Sequence, residues 1–260
     1  MLTVTAILLA AALFASPDRI LAGQPAAPSV DSACVVPESV LAPGSGLPRV
    51  SAHLAAGRPL SVLVVHSAKS APKPGIVSYP ARLENELKRR LPGREVSTAV
   101  LSLPGEAAPA MVGPLTQAVE DQQPALVVWQ TGTVDAMRSL DLESFGSALQ
   151  SGIAEVQRRG ADIVIMDMQY SMHTAQLIDF APYVSYMSWL AQSSDVFHFP
   201  RYDIMRYWVE DGRVDFTDES DGAKQRAYDF VHQCIGQLLA QSVATMIDPL
   251  SIGRRTGASN

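Results

Sequence analysis

The chain has 260 residues, of which 47% are hydrophobic and 18% are charged, and its formal net charge is −6. This is a globular composition, and a chain of this size buries about three quarters of its unfolded surface, so it needs no metal ion or disulfide to fold. The acidic balance and the scattered Lys and Arg residues argue against binding to nucleic acid or to an anionic membrane.

The N-terminus opens with an apolar run, TVTAILLAAALFAS, at residues 3–16. Its apolar stretch of about ten residues matches the hydrophobic part of a signal peptide and is too short to span a bilayer. We therefore predict a signal peptide over residues 1–23 and export to the periplasm or outside the cell, with no transmembrane anchor after its removal. No Lys or Arg precedes the run, and a buried or uncleaved segment is the alternative.

A stretch rich in Pro, Ala, Gly and Ser follows, and we expect residues 24–46 to form an extended lead-in. It contains Cys34, and the only other cysteine is Cys234 in the last predicted helix. An even number of cysteines in an oxidising compartment permits a disulfide, so we predict that Cys34 and Cys234 are joined. Two unrelated buried thiols are the alternative.

Between residues 47 and 247, short apolar runs alternate with stretches of helical periodicity. Three of the runs are continuously apolar, which is the pattern of parallel strands covered on both faces. The alternation predicts one α/β domain, a three-layer α/β/α sandwich with a five-stranded parallel sheet, followed by a flexible tail over residues 248–260. The predicted strands are residues 61–65, 95–101, 125–130, 162–168 and 195–199.

Helices with one apolar face fill the gaps between the strands. Ser78 is expected to cap the first, Gly160 to end the second, and Cys234 to lie on the buried side of the last. Ligands of such sheets bind beyond the carboxyl ends of the strands, so we expect a site in the loops that follow the strands. The apolar faces are Leu83, Leu87 and Leu91; Phe145, Leu149, Ile153 and Val156; and Ala227, Val231, Cys234 and Leu238.

Four segments near these loops form a pattern of their own. The first block is HSAKSA at residues 66–71, and the second is VLSLPGE at 100–106. The third is WQTGTVDA at 129–136, and the last is DGAKQRAY at 221–228. In order and spacing the blocks resemble the SGNH/GDSL hydrolases, in particular an exported bacterial branch with a WQxGTN third block and a DGxH last block. The resemblance covers residues 34–245, and it implies five parallel strands between helices and an ancestral activity on acyl or acetyl esters of lipids or carbohydrates.

The chemistry of that family requires a Ser nucleophile, a Gly amide and an Asn side chain that stabilise the oxyanion, and a His three residues after an Asp. Carried over by position, the nucleophile falls on Ala68, the Gly near Ser102 and the Asn on Val134. The last block keeps Asp221 but has Lys224 in place of the His. Alanine has no oxygen, valine has no hydrogen-bond donor, and an ammonium beside a carboxylate is a poor base. The resemblance therefore implies a catalytically inactive site.

Shifting the alignment by one residue would place Ser67 at the nucleophile position, and an esterase or deacetylase using Ser67 is the alternative function. Ser67 or Ser70 with Lys69 could also imitate a Ser-Lys dyad, although such clusters are usually solvated loop. Asp167, after the fourth strand, is expected to brace the sheet edge, with a ligand contact as the alternative. No His has metal-ligand spacing with another His or Cys, so no metal ion or cofactor is expected.

These observations favour an exported protein that binds a ligand, or acts as a scaffold, in the cell envelope through the old catalytic cleft. The expected partner is a carbohydrate or acylated envelope ligand or an envelope protein, and not nucleic acid. A purely structural partner-binding protein, its cleft filled by side chains, is the third hypothesis.

Overall fold

The computed structural model describes residues 28–42, 44, 46–68 and 75–253. Within them the strands are β1 Leu60–His66, β2 Val96–Ser102, β3 Leu126–Gln130, β4 Asp162–Met166 and β5 Phe197–Phe199. The helices are α1 Pro48–Ala55, α2 Tyr79–Arg90, α3 Ala108–Gln122, α4 Thr133–Met137, α5 Leu142–Arg158, α6 Met172–Leu177, α7 Ala181–Ser193, α8 Arg201–Glu210, α9 Asp221–Met246 and α10 Pro249–Gly253.

The strands form one parallel sheet in the order β2-β1-β3-β4-β5. Side chains alternate between the two faces, so Val62 and Val64 of β1 pack in one apolar core and Leu63 and Val65 in the other. The first core is covered by α1, α2, α8 and α9, and the second by α3, α5 and α7. The predicted three-layer sandwich with a five-stranded parallel sheet is confirmed.

The predicted apolar faces of the three helices are all buried, but some element ends differ from the prediction. Ser78 occupies the N-cap position of α2, yet its side chain makes no capping hydrogen bond. The fourth strand ends at Met166 instead of residue 168, and the Asp167 side chain that follows contacts His198 of β5 and the Tyr202 amide of α8. The fifth begins at Phe197, because Asp195 has a left-handed backbone (φ 51°) that is incompatible with a strand.

The lead-in is held against the body of the protein. Cys34 and Cys234 form the predicted disulfide, which joins the lead-in to α9. Nearby, the Trp208 indole Nε1 donates to the Cys34 carbonyl at 3.2 Å, and the Asp31 amide donates to Gln237 Oε1 at 2.8 Å. Residues 28–42 contain turns and no helix or strand. The disulfide and these two hydrogen bonds hold this segment against α8 and α9.

The two ends of the chain lie partly beyond the described residues. The predicted tail begins with the short helix α10, in which Ser251 is buried and its carbonyl accepts from Arg94 Nη2 at 2.9 Å. Residues 254–260 and the predicted signal peptide lie outside the described residues. In the described part of the chain, no helix is both long enough and apolar enough to cross a membrane.

Candidate functional site

The carboxyl ends of the strands lie in register at one edge of the sheet, which we call the carboxyl edge. His66 at the end of β1 stands beside Ser102 of β2 on one side and Gln130 of β3 on the other. Met166 of β4 continues this row next to Gln130, and Phe199 of β5 completes it. The first three blocks therefore leave the sheet at the same edge.

The first block begins with a half-buried His, a buried Ser and an exposed Ala. The Ser67 carbonyl accepts a hydrogen bond from the Gly105 amide at 2.9 Å, which joins the first block to the second. The Ala68 amide donates to His66 Nδ1 at 3.2 Å. Among the described residues, no hydrogen bond links the Ser67 hydroxyl to an imidazole or an amine. The proposed dyad partners Lys69 and Ser70 lie outside the described residues.

The second block places Ser102 at the exposed end of β2 and Gly105 in a buried turn with φ 76°. The Gly105 amide is used by Ser67, and its carbonyl accepts from Arg138 Nη2 at 3.0 Å. This glycine amide therefore fixes the loop and is not directed at a bound ligand.

The third block turns sharply at Gly132, which has φ 92°. The left-handed conformation favours glycine, and a Cβ there would lie 2.9 Å from the terminal methyl of Met168, which would have to shift. Val134 then lies half-buried in the first turn of α4. Asp135 is buried and accepts from the Ala108 amide at 2.9 Å, which ties the block to the start of α3, and burial raises the pKa of this carboxyl.

The last block forms the first two turns of α9, with Asp221 exposed as its first residue. The ammonium of Lys224 contacts Glu219 at 2.7 Å, and that hydrogen bond is the main cause of its raised pKa. The sequence pairs Lys224 with Asp221, whereas the structure makes Glu219 the contact and leaves Asp221 a weaker, longer-range influence. Lys224 thus holds its proton as expected. Within the described residues, no hydrogen bond or ion pair joins Lys224 to Ala68, Ser102 or Val134.

The histidines near the carboxyl edge have their basic nitrogens engaged. His232 Nδ1 accepts from the Tyr79 amide at 3.1 Å, and burial, with Arg201 and Arg82 nearby, lowers its pKa to about 4. Burial and Arg201 likewise lower the pKa of His66, whose Nδ1 accepts from Ala68. Each neutral ring therefore carries its proton on Nε2, where it is a donor and not a base.

A third His is paired with a carboxylate, but at the far side of the sheet. His198 Nε2 lies 3.0 Å from Asp167 Oδ2, while Asp167 Oδ1 accepts from the Tyr202 amide at 2.8 Å. The expected bracing role of Asp167 is confirmed. Since β5 and β1 are three strand spacings apart, about 14 Å, this pair cannot act on Ser67.

A buried polar group beside the blocks could not be predicted from the sequence. Tyr79 Oη donates to Gln130 Oε1 at 3.0 Å, and burial raises the pKa of Tyr79 to about 12. The guanidinium of Arg201 lies over the Tyr79 ring, with Cζ 5.9 Å from its centroid. The one sequence signal was an Arg placed directly after the apolar run of the fifth strand. No group of three or more His, Cys, Asp or Glu residues in the described ranges could hold a metal ion.

Comparisons with known proteins point to one group of folds. Residues 33–249 match the non-GDSL lipase-like family. TesA superposes with a TM-score of 0.54 and 18% identity, over 70% of this chain and 99% of TesA. The lipase/acylhydrolase of Enterococcus faecalis gives a TM-score of 0.56 and 14% identity, over 73% of this chain and 97% of the other.

The acetylxylan esterase Axe2 of Geobacillus stearothermophilus is also similar. Its catalytic mutant with a serine replaced by alanine gives a TM-score of 0.55 and 12% identity, over 71% of this chain and 94% of Axe2. A second catalytic mutant of Axe2, with a histidine replaced by alanine, gives a TM-score of 0.53 at 14% identity. Identities this low establish the shared fold. No curated protein is significantly similar to the chain in sequence.

Proposed function

The chain belongs to the non-GDSL lipase-like family, and from that membership we propose that it is an exported, catalytically inactive member that binds a ligand in the cell envelope. The observation that carries the proposal is the set of residues at the three positions on which hydrolysis depends. Ala68 stands for the nucleophile, Val134 for the oxyanion-binding Asn and Lys224 for the base.

Among the described residues near the first block, no His is free to act as a base for a serine. A serine that attacks an ester needs a nearby group that takes its proton. His66 and His232 have their Nδ1 atoms occupied, and His198 is held by Asp167 on the distant strand. In Axe2, replacement of a serine or of a histidine alone defines a catalytic mutant, and this chain lacks both at the proposed equivalent positions.

Export is supported by two independent features. The N-terminal apolar run has the length of a signal-peptide core. The disulfide between Cys34 and Cys234 belongs to an oxidising compartment, because cytosolic reductants keep most thiols reduced. The family lineage makes a carbohydrate or an acylated molecule of the envelope the ligand class that fits best, with an envelope protein as the other.

The second function kept open is an esterase or deacetylase with Ser67 as its nucleophile. Ser67 lies at the end of β1, next to the position of the family nucleophile, and this placement is what favours it. Against it stand the burial of Ser67 and the absence, in the part of the chain that the structure describes, of a base bonded to its hydroxyl.

Hydrolysis of p-nitrophenyl acetate and labelling by a fluorophosphonate test the two functions together. We expect wild-type protein to give no turnover above the buffer rate and no labelling. Ser67→Ala removes the alternative nucleophile, and Ser147→Ala, at an exposed position of α5, is the matched control. Turnover by the wild type that is lost in Ser67→Ala and kept in Ser147→Ala would establish the esterase and reject the inactive protein.

A further inference from the structure

Arg201 is a buried cation with no direct acidic partner among the described residues. It is the first residue of α8, only 5% of its surface is exposed, and its guanidinium is charged at any ordinary pH. Its Nε has no hydrogen-bond partner among the described residues, and its Nη2 reaches only Gln169 Oε1, at a long 3.5 Å. A buried charge left this incompletely bonded is unusual, because buried charges are normally paired.

Two other partly buried arginines show the usual arrangement, whereas Arg90 has a longer ion pair of 3.7 Å with Glu86 and no hydrogen-bond partner for its Nε among the described residues. Arg82 contacts the carboxylate of Asp229 at 2.5 Å, and Arg49 contacts Asp162 at 3.3 Å. Asp167 is the carboxylate whose charge acts on Arg201. Its two oxygens are already bonded to His198 and to the Tyr202 amide. Arg201 therefore lacks the bidentate carboxylate contact to which its planar donors are suited.

The guanidinium of Arg201 lies near residues of the carboxyl edge. Its charge acts on His66 at the end of β1 and on His232 of α9, and it lies over the ring of Tyr79. His66 is half-buried and leads directly into the first block, while Gln169 is exposed in the loop after β4. The guanidinium thus lies between the exposed Gln169 and the ring of Tyr79, and its charge reaches His66 at the end of β1.

The neighbours of Arg201 are also suited to an anion. Both neutral imidazoles carry the proton on Nε2, because each Nδ1 accepts a backbone hydrogen bond. The two imidazoles near Arg201 are therefore neutral and add no charge to its surroundings. A single cation matches a monoanion better than a phosphate dianion, and a planar carboxylate fits the fork of a guanidinium.

We propose that Arg201 anchors the carboxylate of a ligand bound at the carboxyl edge, beside the first block. This inference rests on the proposed binding function and narrows its ligand to a molecule with a carboxylate. Two sources share that chemistry, an acidic sugar such as a uronate and a short carboxylic acid such as acetate. The acidic sugar keeps the carbohydrate lineage of the fold, and acetate represents the acid that an ester would release.

Isothermal titration calorimetry of the full chain with D-glucuronate, acetate and neutral D-glucose tests the proposal. We expect millimolar or tighter binding of glucuronate, with no binding of glucose. Arg201→Lys keeps the positive charge but removes the planar pair of donors that can bind a carboxylate through two hydrogen bonds. This variant should bind glucuronate about tenfold more weakly or worse. Arg206→Lys, an exposed arginine on the same helix, is the matched control and should bind as the wild type does.

A second variant keeps the test decisive if Arg201→Lys does not fold. Gln169 is exposed, so Gln169→Ala should fold and weaken glucuronate binding roughly threefold. Binding of acetate as tight as that of glucuronate would assign the carboxylate alone, without a sugar, as the ligand. Absence of binding to both carboxylates, or equal binding of glucose, would overturn the anchor and leave the binding function standing. Ester turnover by the wild type would instead overturn the inactive protein, whatever the calorimetry gives.

Discussion

At the scale of single residues, the groups present at the carboxyl edge determine which chemistry the fold can perform. Nucleophile and base act as a unit in such sites, and removing either typically costs on the order of 10⁴–10⁶ in turnover. On the proposed equivalences both are absent, since Ala68 has no oxygen and the Lys224 amine is protonated and bound to Glu219. The buried guanidinium of Arg201 is the group to which we assign ligand binding in their place.

Gly132 is the residue on which the geometry of the third block depends. We predict that Gly132→Ala lowers the free energy of unfolding by about 2–4 kcal/mol, because the new Cβ combines a left-handed backbone with a contact to Met168. Gly93 also has a positive φ, but a Cβ there would meet nothing within 4 Å. Gly93→Ala therefore isolates the backbone cost, about 1 kcal/mol. Equal losses for the two variants in urea denaturation would refute the steric contribution.

His232 should make the stability of the protein depend on pH. Its pKa is about 4 in the folded protein and about 6.5 in an unfolded chain, so the unfolded state binds the proton first as the pH falls. The stability contributed by the neutral ring is complete above pH 6.5 and is lost as the pH falls from 6.5 towards 4. At pH 5 the loss should be about 2 kcal/mol.

His232→Asn should flatten this dependence while keeping an acceptor for the Tyr79 amide. The measurement is the free energy of unfolding at pH 7 and at pH 5 for the wild type and the variant. His173→Asn, on the exposed helix α6, is the control and should show the wild-type difference. A difference between the two pH values that is unchanged in His232→Asn would contradict the assignment.

At the scale of elements, the sheet could be predicted because its central strands are continuously apolar and its helices have clear apolar faces. The ends of the elements could not, because side chains decide them. Asp195 ends α7 in a left-handed turn, and Asp167 leaves the sheet to hold His198. The helix α10 was missed because its residues are weakly patterned, and it is held by tertiary contacts such as that of Arg94 with Ser251.

The disulfide between Cys34 and Cys234 joins the N-terminal lead-in to α9 and should contribute to stability. It links residues 200 positions apart, and we predict that the Cys34→Ala/Cys234→Ala variant loses about 2–4 kcal/mol of unfolding free energy. Reduction with dithiothreitol should destabilise the wild type by a similar amount and leave the variant unchanged. Non-reducing mass spectrometry of exported protein should find both cysteines oxidised within one chain. Two free thiols would argue against the disulfide and against export.

At the scale of the whole molecule, the place of the site could be predicted but its composition only in part. The order of the blocks indicates the carboxyl edge, because parallel strands end together there. Arg201 escaped prediction, since a single Arg after a strand looks like any surface residue until the fold buries it over Tyr79. The partner of Lys224 was also wrong, because the first turn of α9 brings Glu219 to its ammonium.

The central claim is that a hydrolase fold here holds a binding site in place of its catalytic groups, and reversion tests it most directly. The wild type is compared with Ala68→Ser/Val134→Asn/Lys224→His in p-nitrophenyl acetate hydrolysis, with folding checked by circular dichroism. The account predicts no turnover by the wild type or by any single reversion. The triple variant should gain roughly 10²–10³-fold over background, because the fold still supplies Asp221 and the Gly132 turn. A folded triple variant with neither turnover nor fluorophosphonate labelling would contradict the assignment of these positions.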